Sequence, residues 1–271
     1  MGPLLTLKVL KELRAAVSAG ATSVACSLDL QRSTTSVEVG ESGWTWKDQL
    51  FPYPQSCKDR TIYHWDGLTF RAAARYSASL IKLVPTDWGP PTFEIDGIKM
   101  LPTQRISPYE DAERKVGLIG PFGKLILDTC GGLGYFAAWC VQGRAAQVIS
   151  YEKNPDVIWL RSLNPWSPAV GSGLTLTLGD IAEQIVTVPG QSVDAILHDP
   201  PRFGIAGELY SQEFYGQLAR VLKRKGKLFH YTGAPNKLTS HRDVAHEVLN
   251  RLRHAGFEAK LNGDGILAVK K

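Results

Sequence analysis

The chain predicts an α/β fold in two parts: a mostly parallel sheet with helical crossovers over residues 106–271, preceded by a smaller β-rich domain over residues 1–105. Three observations predict it. An apolar run, Leu125-Ile126-Leu127, ends in Asp128, turns through Gly131, Gly132 and Gly134, and enters an apolar stretch of helical spacing at 135–141. That is a strand, a glycine turn and a helix start. Three more apolar runs follow, ending at Glu152, Asp180 and Asp199, with helical segments between them, the alternation that parallel strands require. Between residues 23 and 95 the pattern changes to short alternating runs of β-formers separated by hairpin breaks.

The first part opens on a helix. Leu5, Val9, Leu10, Leu13 and Val17 recur at helical spacing over 4–19, and Gly20 supplies a stop. Strands are predicted at 24–30, 36–39, 44–47, 61–65, 68–73, 78–83 and 92–95. Gly40-Glu41-Ser42-Gly43 breaks one pair, and Asp66-Gly67 reads as a two-residue hairpin turn. Tyr63, Trp65, Phe70 and Tyr76 are expected to fill this small domain's own core. Stacking on nucleobases, with Arg71 and Arg75 meeting phosphates, is the less favoured reading. Trp88-Gly89-Pro90-Pro91 is a rigid turn; a short helix over 109–116 then places the domain boundary near residue 105.

In the second part, helix 135–142 stops at Gly143 and a strand runs over 147–151. Pro155 opens a helix that reaches Leu163, where Asn164-Pro165-Trp166 breaks it. Strand 174–178, short helix 181–185 and strand 193–197 follow. Residues 202–208, with Gly204 and Gly207, form a loop suited to a mobile substrate cover. Helix 211–223 stops at Gly226, strand 227–231 leads to helix 242–255, and strands 257–261 and 266–270 flank Asn262-Gly263-Asp264-Gly265 as a hairpin.

Composition narrows the function classes. Among 271 residues, 44% are hydrophobic, ordinary for a globular protein, and no run approaches the roughly 20 apolar residues of a membrane span. No secretory pattern opens the chain, so a cytoplasmic protein without a membrane partner is expected. Cys26, Cys57, Cys130 and Cys140 have neither close pairing nor zinc-ligand spacing, and His241 and His246 are off the helical repeat, so no metal site is implied. Residues 1–117 carry a net charge of +1 and residues 118–271 one of +4. Arg220, Lys223, Arg224, Lys225 and Lys227 are the densest basic cluster; a solvated helix end is favoured over a phosphate-binding patch.

The strand ends carry the chemistry. Parallel sheets bind ligands at the C-terminal ends of their strands. Glu152 lies about twenty residues past Gly132, the interval expected of an acid that accepts ribose hydroxyls. Asp180 follows the next strand, where a carboxylate can take an adenine amino group. Each acid alone reads equally well as a helix N-cap; together, in this order, they favour a nucleoside site.

These residues resemble the class I S-adenosylmethionine-dependent methyltransferases over 118–271, with 128–134 as the first motif and Asp199-Pro200-Pro201-Arg202 as the fourth. The resemblance implies a Rossmann-like, seven-stranded sheet ending in an antiparallel hairpin. It implies S-adenosyl-L-methionine as donor, bound by Asp128, Cys130, Gly131, Gly132, Gly134, Glu152, Asp180, Ile181, Asp199 and Pro200. Cys130 stands where the family usually has its first glycine. A closer likeness is to a group of predicted archaeal methyltransferases of unassigned substrate, through Leu127-Asp128-Thr129-Cys130-x-Gly132-Leu133-Gly134-Tyr135, Glu152-Lys153-Asn154-Pro155, Leu163-Asn164-Pro165-Trp166-Ser167 and Lys82-Leu83-Val84-Pro85-Thr86.

Methyl transfer is an in-line displacement that asks the protein to align a nucleophile and accept a proton. Asp199 and Arg202 are the expected reaction-side pair, with Arg202 holding an anionic part of the acceptor. Related Asp-Pro-Pro-aromatic motifs serve exocyclic or amide nitrogens, and here Arg202 replaces the aromatic. Asp-Pro-Pro-Arg also occurs in enzymes that methylate pyrimidine C5 through a cysteine, but no Cys follows Cys140. A nitrogen or oxygen nucleophile is therefore expected, with RNA favoured over protein or small molecule by the pI near 9.0. Residues 207–215 resemble the corresponding segment of spermidine synthases, so aminopropyl transfer from decarboxylated S-adenosylmethionine is the alternative. Leu133 and Arg202 stand where that reaction wants acids. A non-catalytic binding module is the third reading, opposed by Glu152, Asp180 and Asp199.

Overall fold

The computed structural model describes residues 2–233 and 243–271. The chain divides into two compact units, Met1–Glu110 with Trp159–Trp166, and Asp111–Ile158 with Ser167–Lys271. The division falls slightly beyond residue 105, and a segment from the middle of the second part belongs with the first.

The first unit holds β1 (Leu4–Leu5), α1 (Leu7–Ser18), β2 (Ser23–Cys26), β3 (Thr35–Val39), β4 (Gly43–Trp46), β5 (Gln49–Pro52), β6 (Tyr63–Trp65), β7 (Phe70–Ala72), β8 (Ala74–Tyr76), β9 (Leu80–Val84), β10 (Thr92–Ile95) and β11 (Ile98–Lys99). They form antiparallel sheets of order β1-β6-β7, β2-β3-β4-β5 and β11-β10-β9-β8. The opening helix is shorter than its apolar pattern. Leu4 and Leu5 pair with His64 and Tyr63, and Thr6 caps α1 by accepting the Val9 N–H at 3.3 Å. Strand β5 was hidden because the turn before it, Lys47-Asp48, takes the left-handed conformation twice (φ 51 and 60) without a glycine. Asp66-Gly67, by contrast, opens a longer loop: Trp65 pairs with Phe70, and Asp66 Oδ1 accepts the N–H of Leu68 and Thr69.

Aromatic rings build this unit's core. Fully buried Trp44 stacks on Phe51 at 4.7 Å and on Phe70 at 6.1 Å, and Trp65 meets Phe51 edge-on at 5.2 Å. Tyr63 and Phe70 are buried as expected, whereas Tyr76 is 77% exposed. Trp159 lies edge-on to His64 at 5.7 Å and under the Arg75 guanidinium at 3.9 Å, and Trp166 Nε1 donates to Leu30 O at 3.0 Å. These contacts place Trp159–Trp166 in the first unit.

The remaining elements are α2 (Pro108–Ile119), β12 (Leu125–Asp128), α3 (Tyr135–Gln142), β13 (Gln147–Glu152), α4 (Pro155–Leu163), β14 (Leu174–Leu178), α5 (Ile181–Gln184), β15 (Val193–His198), α6 (Gln212–Val221), β16 (Leu222–Tyr231), α7 (Val244–His254), β17 (Phe257–Asn262) and β18 (Gly265–Lys270). Their sheet runs β14-β13-β12-β15-β16-β18-β17. The first five strands are parallel, and β18 is antiparallel to both neighbours. This is the expected Rossmann-like sheet with its terminal hairpin.

Helix α6 carries only Arg220 of the basic cluster and ends before the other four. Val193 pairs with Leu222 but Ala195 with Lys227, so residues 223–226 bulge from β16 and Lys225 turns left-handed (φ 61). Arg220 donates to the Val188 and Ile185 carbonyls at 2.8 and 2.7 Å, Lys223 pairs with Asp194 at 2.7 Å, and Lys227 Nζ donates to Leu118 O at 3.2 Å. These cations serve capping and pairing. Helix α7 is capped by Asp243, whose Oδ1 accepts the His246 N–H at 3.2 Å; Arg242, the expected start, and His241 lie outside the described residues. Among the described residues, no helix is long and apolar enough to cross a membrane.

Candidate active site

The parallel strands deliver polar residues to one rim of the sheet. Asp128, fully buried at the end of β12, accepts from Ser150 Oγ at 2.8 Å across the β12–β13 pair. The chain then turns: the Gly131 N–H donates to Tyr151 O at 2.7 Å and the Gly134 N–H to Gly131 O at 2.8 Å. Gly132 (φ 49) and Gly134 (φ 83) adopt the left-handed conformation, Gly134 as the cap of α3. Cys130 is not left-handed, so a side chain in the usual glycine's place brings no backbone strain.

Glu152 faces that turn. Its Oε2 accepts the Gly132 N–H at 3.0 Å and its Oε1 the Asn154 N–H at 2.9 Å, so the interval read in the sequence is a direct contact. Asp180 realises its reading as a helix N-cap. Its Oδ1 caps α5 through the Ala182 N–H at 2.9 Å, and it also forms part of a cavity wall. Lys153 Nζ lies 3.5 Å from Asp180 Oδ2 and 3.6 Å from Glu208 Oε1.

The cavity measures about 350 Å³ with the space at its open mouth. Cys130, Glu152, Asp180 and Ile181 line it, as the sequence suggests. Thr129, Tyr151, Lys153, Gly179, Pro201, Ala206 and Leu209 complete the wall and were missed. Thr129, Tyr151, Lys153, Gly179 and Pro201 had a legible signal, each adjoining a motif residue, whereas Ala206 and Leu209 had none. Asp128, Gly131, Gly132, Gly134, Asp199 and Pro200 are not on the wall; they belong to the strand ends and turns beside it. Burial first, then the Glu152 charge, push the Cys130 thiol well above its usual range, which keeps it protonated.

The loop after β15 is folded down. Arg202 O accepts the N–H of Ile205 and Ala206 at 2.7 and 3.2 Å, and a 3-10 turn covers Gly207–Tyr210. Tyr210 Oη donates to Pro201 O at 3.0 Å, and Arg251 holds the Tyr210 carbonyl at 2.6 Å. Residues 202–208, expected as a mobile cover, are thus tied into the wall at Ala206. The Arg202 side chain is exposed and not among the lining residues. Below the loop, His198 Nδ1 meets Thr129 Oγ1 at 2.7 Å and its Nε2 the Leu209 carbonyl at 3.1 Å. Burial, and then His230, hold the His198 imidazole well below the usual histidine range, so this support stays neutral.

Asp199 follows the last residue of β15. Burial pushes its carboxyl up to about 6, Lys115 pulls the other way, and Asp111 and Asp264 add to the rise. A carboxyl poised there exchanges a proton near neutral pH.

A family model described as S-adenosyl-L-methionine-dependent methyltransferase matches residues 158–260. The chain is 44% identical over 210 residues to an uncharacterized protein of Methanocaldococcus jannaschii, covering 76% of this chain and 72% of that one. Among solved structures, a spermidine synthase in complex with the transition-state analogue AdoDATO is similar with a TM-score of 0.61 at 18% identity over 73% of each chain. The spermidine synthase of Thermotoga maritima follows with a TM-score of 0.58 at 17% identity over 73% of this chain and 71% of that one. At such identities the likeness to the two synthases is one of fold.

Proposed function

This chain belongs to the S-adenosyl-L-methionine-dependent methyltransferases, and from that premise we propose that it methylates a nitrogen or oxygen nucleophile beside Asp199, with RNA the favoured class of acceptor. The walls of the cavity fit the donor. Glu152 offers a carboxylate to ribose hydroxyls, Asp180 stands on the adenine side, and Ile181, Pro201 and Leu209 give apolar surface. When bound, the donor supplies a methyl group activated on a positive sulfur. The protein's part is to bind, orient and take a proton: as the acceptor's lone pair bonds to the methyl carbon, the carbon–sulfur pair returns to sulfur and the acceptor's proton passes to Asp199.

The observation that carries this reading is Asp199 itself, at the rim where β15 ends, with a carboxyl raised to about 6. Above that pH it is ionised and ready to accept a proton. RNA is favoured by the pI near 9.0 and by a separate β-rich unit. The aminopropyl alternative needs acids open to a polyamine; Asp111 and Asp264 are already engaged by Arg114 and Lys115.

The test incubates the protein with methyl-labelled donor and separated RNA, protein and small-molecule fractions of a cell extract. Label entering RNA is the expected result, and Asp199→Asn should lower the rate about a hundredfold or more. Label confined to protein or small molecules would overturn the RNA assignment; full activity in Asp199→Asn would move the proton acceptor elsewhere.

A further inference from the structure

Helix α2 carries a cation into the interior. Lys115 is 1% exposed, and neither the sequence pattern nor the family resemblance assigns it a role. Its Nζ lies 2.6 Å from Asp111 Oδ2 one helical turn earlier, 3.7 Å from Asp264 Oδ2 in the β17–β18 turn, and 4.0 Å from the centre of the Tyr231 ring. Arg114 Nη2 holds the other oxygens of the same two carboxylates at 3.0 and 2.9 Å. Asp264 is itself fixed, because its carbonyl accepts the Thr232 N–H at 3.1 Å. Two acids, a second cation and an aromatic face thus set the ammonium's place. Burying an ammonium is costly, and packing alone would be served by an apolar side chain.

That place adjoins the reaction rim. The register pairs His198 with His230 and Tyr231 with Gly265, so Asp199, Tyr231 and Asp264 come together where β15 and β16 end and β18 begins. Asp111 and Asp264 balance Arg114 and Lys115, so Asp199 adds one negative charge to the cluster. Burial and the two other acids oppose its ionisation, and Lys115 is the cation that favours it. Reciprocally, burial lowers the Lys115 ammonium, but Asp199 and then Asp111 outweigh it, so that Lys115 stays charged. Tyr210, Tyr231 and Cys130 also feel Asp199, and burial keeps each of them neutral.

We infer that Lys115 is a positioning residue of the reaction: it holds Asp199 in the ionised, proton-accepting form, while Asp111 and Asp264 hold the ammonium in place. The inference rests on the reading of Asp199 as proton acceptor. With Lys115 present, the acceptor's proton has an anion to go to near neutral pH. Without it, Asp111, Asp199 and Asp264 share Arg114 alone, and Asp199 keeps its proton.

The test follows the Asp199 carboxyl directly by carbon-13 NMR of the full chain labelled at aspartate, without donor or acceptor, the resonance being identified by its loss in Asp199→Asn. The wild-type midpoint should lie near pH 6. Lys115→Gln keeps a donor for Asp111 but no charge, and should raise the midpoint by about one unit or more. Lys115→Arg keeps the charge and should leave it nearly in place. An unmoved midpoint in Lys115→Gln overturns the inference. Should that variant fail to fold, Asp111→Asn is compared with Asp111→Asn/Lys115→Gln: a higher midpoint in the double variant supports the inference, and an equal one overturns it. A shifted midpoint together with full methyl transfer by Asp199→Asn would keep the coupling but remove the base, and so overturn Lys115's part in the reaction.

Discussion

Replacing Asp199 by Asn should stabilise the protein above neutral pH and not below pH 4. The Asp199 carboxyl moves from 3.8 to about 6 on folding, so the folded state favours the protonated form. Its contribution to stability is full below the unfolded value and is lost as the pH rises through 6. The difference is roughly two units, which at about 1.4 kcal/mol per unit amounts to about 3 kcal/mol. Asp199 keeps partial solvent access, and screening reduces that to about 2 kcal/mol. Asn, neutral at every pH, escapes the penalty. Urea unfolding of both proteins, followed by circular dichroism at pH 4.5 and pH 8, reads the effect as a gap in midpoint that opens in favour of the variant on the alkaline side. A gap independent of pH, or one that opens in favour of the wild type, would show that folding does not raise the Asp199 carboxyl.

Trp44→Ala should cost about 3–5 kcal/mol in urea unfolding, because a fully buried ring stacked on Phe51 and Phe70 leaves a cavity that its neighbours cannot close. Cys130 should resist iodoacetamide at pH 8, since burial and the Glu152 charge hold it as a thiol; mass spectrometry of timed samples checks the site. Tyr210→Phe removes the donor to the Pro201 carbonyl, and should lower stability by about 1 kcal/mol and weaken donor binding by loosening the cavity wall. Glu208→Gln should change stability by less than about 1 kcal/mol, because Glu208 and Lys153 are both exposed and solvent screens the pair.

What was legible in the sequence was local. The left-handed turn at Gly132 and Gly134 demands glycine whatever the tertiary setting, and Glu152 meets that turn because each is fixed at the end of a paired strand. The closing hairpin was equally readable, since Gly263-Asp264 breaks two apolar runs. The Lys115 cage was not. Arg114 and Asp264 stand 150 residues apart, and a lysine in the amphipathic pattern of α2 looks like any solvated charge until the hairpin turn is brought over it. β5 escaped notice because Lys47-Asp48 pays the left-handed strain without glycine. Trp159–Trp166 reads as the end of a crossover helix, yet it packs with Leu30, His64 and Arg75 in the first unit.

Calorimetric titration of S-adenosylmethionine into the wild-type chain and into Glu152→Ala measures whether the cavity holds the donor. Glu152 stands on the cavity wall, its carboxylate pinned by Gly132 and Asn154, and a charge-assisted contact to the ribose is worth about 1.5–3 kcal/mol. Binding to the wild type should be saturable and one-to-one, with an affinity roughly ten- to a hundredfold lower in Glu152→Ala. Equal affinity in the two proteins, or no heat of binding to the wild type at millimolar donor, would contradict that expectation.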